Sequence, residues 1–227
     1  MSIQMNMKFV SAVESGSMNY AVYYSDDYAG LPLLIYLHGA GERGTEFDHL
    51  YRHGIPLLLS EGRTYPAVIL VPQCPTEVVW DNIVDKVKAI IDTVADEFTI
   101  RPDRICLTGS SMGGYGTWSM GLTYPNFFSA IAPIAGGGMA WRAPRLANTP
   151  VYVFHGADDS LVLPACSQMM CDFLAAAGGS VRLVYLEGKG HDDGINYAYA
   201  HTDLVDWLLQ QRRTDFTFVP DVCSEYY

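Results

Sequence analysis

The run Arg104-Ile-Cys-Leu-Thr-Gly-Ser-Ser-Met-Gly-Gly-Tyr-Gly-Thr-Trp118 limits what this chain can become more than any other stretch. It reads as a short apolar strand, then Gly109-Ser110-Ser111-Met112-Gly113, then a helix start. A G-x-S-x-G turn between a strand and a helix is the layout of a nucleophile elbow, with Ser111 strained at the apex and its hydroxyl exposed. Bulky neighbours would clash in so tight a turn, which explains glycine two residues to either side. Gly114 and Gly116 leave further room for the helix to pack close. A bare match is weak evidence, and a solvated serine in a glycine-rich turn is the plainer alternative. The flanking strand and helix favour the elbow.

The rest of the chain alternates strand-like and helix-like segments. Leu31–Leu37 is a continuous apolar run, as expected of a strand buried on both faces. Shorter β-type runs follow at 67–71, 128–135, 151–154 and 181–186, and 18–25 reads as an outer strand. Between them, 82–98 carries apolar residues at 83, 87, 90, 91, 94 and 98, an amphipathic helix. Helical segments are also expected over 113–124, 165–177 and 199–212, with a less regular one over 47–60 and a polar loop over 187–194. Such alternation predicts an α/β architecture: a mainly parallel central sheet with helices on both faces. No segment is long enough for a large lid domain, and residues 1–227 read as one catalytic domain.

Composition narrows the partners. Lys and Arg number 14 against 25 Asp and Glu, a net charge of −11, which disfavours nucleic acid and anionic membranes. No run has the roughly 18 apolar residues of a membrane span. The N-terminus, Met1 to Lys8, lacks the charged-then-apolar layout of a signal peptide. The expected address is therefore the cytoplasm, or the periplasm or exterior where a leader has been removed. Five cysteines without metal-type spacing read as free thiols.

A serine hydroxyl needs a base to take its proton. In the α/β-hydrolase order the acid and then the histidine follow the serine. His155 precedes the candidate acids, and His201 falls on a helix with Leu204, Val205 and Leu208. His191, in a glycine-flanked loop after the last strand, is the expected base. Asp158 and Asp159 both follow strand 151–154, and spacing does not separate them. The oxyanion of an acyl-transfer intermediate needs two N–H donors. One comes from the residue after the nucleophile, Met112, and the other from the glycine-rich loop 38–44, where Ala40 is the expected donor. His38 is read as a prop for that loop.

Several blocks then agree in order: Leu37-His-Gly-Ala-Gly-Glu-Arg-Gly44, Val71-Pro-Gln-Cys-Pro75, Thr108 to Trp118, Ile134-Ala-Gly-Gly-Gly138 and Phe154-His-Gly-Ala-Asp-Asp159. Over residues 18–212 the chain resembles the phospholipase/carboxylesterase-type α/β-hydrolases. More closely it resembles bacterial esterases labelled predicted peptidases, relatives of feruloyl and acetylxylan esterases. The H-G-x-x-D-x-x-V block of that family puts the acid on Asp159, and its His-Asp pair matches His191-Asp192. A tryptophan common two residues after that Asp is Gly194 here, and Leu163 separates Val162 from Pro164.

The resemblance implies a catalytic Ser111, His191 and Asp159, an acyl-enzyme, and no metal or organic cofactor. The expected substrate is a small-molecule or carbohydrate-linked ester, with short or aromatic acyl groups. Glu42, Arg43, Gln73, Trp80, Tyr115 and Trp141 are candidate substrate contacts, as is Trp118, with core or loop structure the bland reading for each. A small serine peptidase, an acyl-thioesterase or lysophospholipase, and a non-catalytic scaffold are the competing readings.

Overall fold

A computed structural model describes residues 5–217. Among these residues, eight strands form one sheet: β1 (Asn6–Val10), β2 (Tyr20–Tyr24), β3 (Leu33–Leu37), β4 (Val68–Pro72), β5 (Ile105–Ser110), β6 (Ala130–Ile134), β7 (Val151–Gly156) and β8 (Val181–Leu186). Their spatial order is β1-β2-β4-β3-β5-β6-β7-β8. β1 pairs antiparallel with β2 and β2 antiparallel with β4, and the remaining neighbours are parallel. Every residue of β3 to β7 is buried, as continuous apolar runs in a doubly covered parallel sheet require.

Among the described residues there are seven α-helices: α1 (Ala12–Ser15), which buries no residue, and α2 (Gly54–Ser60), α3 (Val84–Glu97), α4 (Met112–Thr123), α5 (Ala165–Ala176), α6 (His191–His201) and α7 (Leu204–Gln210), which pack on the sheet. Strand residues alternate between two cores because successive side chains point to opposite faces. Leu33, Ile35 and Leu37 of β3 pack with Ile91 of α3, Trp118 of α4 and Leu174 of α5. Leu34 and Tyr36 face the other way, with Ile55 of α2, Tyr199 of α6 and Leu208 of α7. Among the described residues, no helix is long and apolar enough to cross a membrane.

Some elements differ from the sequence reading. β1 was not expected; its exposed–half-buried alternation is that of a sheet edge and leaves no apolar run to detect. The segment 47–60 divides into a 3-10 turn (Phe47–Arg52) and α2, which starts at Gly54 with φ 63°. The helix expected over 199–212 is the end of α6 plus α7, interrupted at Thr202 and Asp203. Cys74, Cys106, Cys166 and Cys171 are free thiols, whereas Cys223 lies outside the described residues.

What brings α4 to the sheet is missing side chains. A Cβ on Gly113 would fall on the Leu37 carbonyl, and one on Gly109 would lie 2.7 Å from the same oxygen. One on Gly136 would lie 2.7 Å from the Tyr115 amide nitrogen. Backbone thus packs on backbone at the ends of β3, β5 and β6. We expect Gly113→Ala to lower the urea-unfolding free energy by about 1–3 kcal/mol or more, because the obstructing atom is backbone and has little room to yield.

Candidate active site

Ser111 links β5 to α4 with φ 57° and ψ −120°, a backbone state rarely held by a residue with a side chain. Such strain costs on the order of 1–3 kcal/mol and persists where surroundings impose it. Here the Ser111 N–H donates to Ile134 O (2.9 Å), and its carbonyl accepts from the Tyr115 N–H (3.0 Å). Buried hydroxyls brace the strand beneath. Ser110 Oγ lies 2.9 Å from the Tyr36 hydroxyl. The Thr108 hydroxyl donates to Ala132 O (2.6 Å), so its oxygen takes the proton of the Tyr199 hydroxyl at 2.8 Å.

The structure brings Ser111, His191 and Asp159 together, from regions 80 and 32 residues apart in sequence. His191 Nε2 lies 2.8 Å from Ser111 Oγ, and Nδ1 lies 2.6 Å from Asp159 Oδ2. A carboxylate only accepts, so Nδ1 carries the ring proton and Nε2 is left to receive one from the serine. The other Asp159 oxygen accepts the N–H groups of Leu161 and Val162, each at 2.9 Å. Burial works to raise the Asp159 carboxyl, but the bonds from His191 and the two amides outweigh it and hold the group below the usual range. Asp158 is exposed; its amide donates to Lys189 O (2.9 Å), tying the loop that carries Asp159 to the one that precedes His191. Buried His155 pins the same Asp159 loop, with Nε2 2.8 Å from Val162 O and Nδ1 2.7 Å from Ser167 Oγ.

His191 is not in a loop, as its glycine-flanked setting suggested, but opens α6. The signal for this was Asp192-Asp193: acidic residues favour the first helical turn, where they face the positive end of the helix dipole.

His38 shapes the opposite wall. Its Nε2 accepts the Cys74 N–H (2.9 Å), so Nδ1 bears the proton and donates to Gly39 O at 2.6 Å. Burial pulls the imidazole down to about 4, keeping it neutral. In a planar trans peptide, C=O and N–H point in opposite directions. Holding the Gly39 carbonyl therefore aims the Ala40 N–H away from the His38 ring. Ala40 opens a 3-10 turn and Met112 opens α4, so both amides belong to first turns that lack internal acceptors. A Cβ on Gly39 would stand 3.6 Å from Ser111 Cβ, which puts this loop against Ser111.

Two clefts meet the elbow. One, of about 230 Å³, is lined by Ser111, His191, Gly39, Ala40, Glu42 and His53 among others. A second, of about 300 Å³, is lined by Val79, Trp80, Asp81, Met112 and Tyr115. Of the candidate contacts, Glu42 lines the first cleft and Trp80 and Tyr115 the second. Arg43 bonds to the carbonyls of Ala40 (3.1 Å) and Thr76 (3.2 Å). Buried Gln73 donates to the carbonyls of Glu42 (3.2 Å) and Glu46 (2.9 Å). Trp141, 60% exposed, lines neither cleft, and Trp118 is fully buried on α4. Among the described residues, no group of three or more His, Cys, Asp or Glu side chains is arranged to hold a metal ion.

A family model described as "Putative esterase" matches residues 11–151. The chain is 32% identical over 188 residues to the carboxylesterase SOBER1 of Arabidopsis thaliana, covering 70% of this chain and 82% of that protein. It is 29% identical over 136 residues to the bifunctional acetylxylan esterase/xylanase XynS20E of Neocallimastix patriciarum, covering 58% of this chain and 20% of that much longer protein. A crystal structure of a thermostable esterase superposes with a TM-score of 0.74 at 29% identity, covering 92% of this chain and 63% of the other. The sheet order and these likenesses establish the α/β-hydrolase fold.

The two protonation states of His38 give this site a pH signature. Unfolded, the ring takes up a proton near pH 6.5; folded, it does so only at about 4. Between those values the unfolded chain binds the extra proton, so stability falls as pH drops from about 6.5 to 4. We expect wild type to lose on the order of 3 kcal/mol over that interval that His38→Gln does not lose, measured by urea unfolding at a series of pH values. Burial lowers His155 in the same direction in both proteins, so its contribution cancels in the difference.

Proposed function

We propose that this chain, which belongs to the esterase family, is a serine carboxylesterase whose nucleophile is Ser111. The observation that carries the reading is the unbroken hydrogen-bonded line from Ser111 Oγ through His191 (2.8 Å) to Asp159 (2.6 Å). In the reaction, Ser111 Oγ attacks the ester carbonyl as His191 Nε2 takes its proton. Asp159 stays ionised and steadies the imidazolium through Nδ1. The amides of Ala40 and Met112 hold the oxyanion, aided by the fixed Gly39–Ala40 peptide. As the C–O bond of the tetrahedral intermediate breaks, His191 protonates the departing alkoxide. A water, deprotonated by the same nitrogen, then releases the acid and restores Ser111.

The substrates proposed are esters with short or aromatic acyl groups, including acetyl or feruloyl groups on plant polysaccharide. The cleft bounded by Val79, Met112 and Tyr115, over the buried Trp80, supports an aryl group, since apolar and aromatic side chains there favour contact with a ring. Similarity to an acetylxylan esterase supports the acetyl case.

We expect Ser111→Ala to abolish turnover of p-nitrophenyl acetate, methyl ferulate and acetylated xylan, and to abolish labelling by a fluorophosphonate probe. Labelled, folded wild type that cleaves a chromogenic peptide faster than any ester would overturn the ester assignment in favour of a peptidase. The oxyanion assignment has its own test. Gly39 has φ −74° and ψ −178°, an extended state that accommodates a following proline, and the first position of a helical turn tolerates one. Ala40→Pro therefore removes one N–H with little disturbance, and kcat should fall about 10²–10³-fold with the circular dichroism spectrum unchanged.

A further inference from the structure

The mechanism above leaves one buried acid beside Ser111 without a task. Glu42 is 2% exposed, and its Oε2 makes no hydrogen bond with any described residue. The nearest cationic candidates are two imidazole nitrogens, His38 Nδ1 and His53 Nε2, each 3.8 Å away and beyond hydrogen-bond reach. The His38 proton is already held by Gly39 O at 2.6 Å. His53 Nδ1 accepts from the Asn196 amide at 3.3 Å, which leaves the ring proton on Nε2, 3.8 Å from Oε1 and too far to bond. Gln73 and Arg43, the polar neighbours in sequence and space, bond to backbone carbonyls instead. Burial accordingly raises the Glu42 carboxyl above its ordinary range, with His53 working against that rise.

A buried polar atom left unpaired costs about 1–3 kcal/mol, and more when charged. Such an atom calls for a partner, and where it adjoins a cleft a ligand group can supply one. Its position fits. The point where a Cβ on Gly39 would stand is 3.0 Å from Glu42 Oε2 and 3.6 Å from Ser111 Cβ. Both residues line the same cleft, together with Asp192. A substrate atom near the reacting carbonyl is therefore within reach of the carboxyl. A second carboxylate there would be repelled by Glu42 and Asp192. A hydroxyl suits the site in either of its states, because it donates to a carboxylate and can also accept from a carboxylic acid.

Resting on the esterase reading, we propose that Glu42 is a specificity-determining residue that pairs with a substrate hydroxyl borne close to the ester carbonyl. The enzyme then prefers esters hydroxylated on the part that enters this cleft. That hydroxyl comes either from a hydroxyacyl group or from a polyol alcohol such as a sugar.

Two matched pairs separate these sources: ethyl 3-hydroxybutyrate against ethyl butyrate, and glyceryl monobutyrate against propyl butyrate. Wild type should favour the hydroxylated member of one pair by tenfold or more in kcat/KM, and that pair identifies the source. In Glu42→Leu this ratio should collapse toward one. A merely structural role for Glu42 would scale both members of a pair equally, and that result, or no preference in wild type, overturns the proposal. Should Glu42→Leu fail to fold, Glu42→Gln, which keeps the shape and an acceptor oxygen but no charge, should reduce the ratio without abolishing it; an unchanged ratio would overturn the proposal. Failure of the esterase reading would appear separately, as wild type that neither turns over esters nor reacts with fluorophosphonate. In that event calorimetry on Ser111→Ala decides the matter: tighter binding of a hydroxylated member, lost on adding Glu42→Leu, sustains the role of Glu42, and equal binding within both pairs refutes it.

Discussion

Contact of backbone with backbone, where α4 leaves the sheet, is the constraint on which the rest of this molecule depends. Gly113 lies against the Leu37 carbonyl at the end of β3, and Gly136, just past β6, lies against the backbone of Gly114 and Tyr115. A single methyl group at these points would push the strand ends apart. Because they are not apart, the loops leaving β3, β5 and β6 converge on one spot, and Ser111 occupies it. Parallel strands send all their carboxyl ends to the same edge of the sheet, so the loops after β7 and β8 arrive there as well.

Histidine is used in two ways around that spot. His38 and His155 are buried, depleted of protons by burial, and bound on both ring nitrogens. They act as rigid neutral struts for the glycine-rich loop and the acid loop. His191 differs in facing a cleft with one nitrogen while the other rests on a carboxylate. The residue type alone does not distinguish a strut from the proposed base; the partners of its nitrogens, a carboxylate and a serine hydroxyl for His191, and its access to a cleft do. The same contrast separates Asp159, which accepts three hydrogen bonds, from exposed Asp158 next to it.

Much of this was legible in the chain. The buried strands announced themselves as apolar runs, and the elbow as glycines at fixed offsets from Ser111. α3 was visible because one face of its 14 residues is apolar. Features that depend on distant partners were not. β1 is an edge strand with alternating exposure, and its pairing with β2 is encoded in no local pattern. Trp118 reads equally well as a loop aromatic or a core one until the helix phase is known. The choice between Asp158 and Asp159 needed the resemblance, because neighbouring residues share composition and spacing while differing in direction. The Tyr36–Ser110 and Thr108–Tyr199 bonds join residues 74 and 91 positions apart, and nothing local in the sequence couples them.

That last bond has a consequence for how the chain can vary in length. α6 carries His191 at its first position and Tyr199 two turns later, and Tyr199 is fixed to Thr108 on the strand that ends at the elbow. The helix thus measures the distance from anchor to imidazole in whole residues, with about 1.5 Å of rise and 100° of rotation for each. Adding or deleting one residue between His191 and Tyr199 would swing the imidazole about a quarter-turn off Ser111 even if the fold survived. Length changes in that interval are therefore closed to drift, whereas the exposed turn at Glu187 and Gly188 can lengthen without altering the measure.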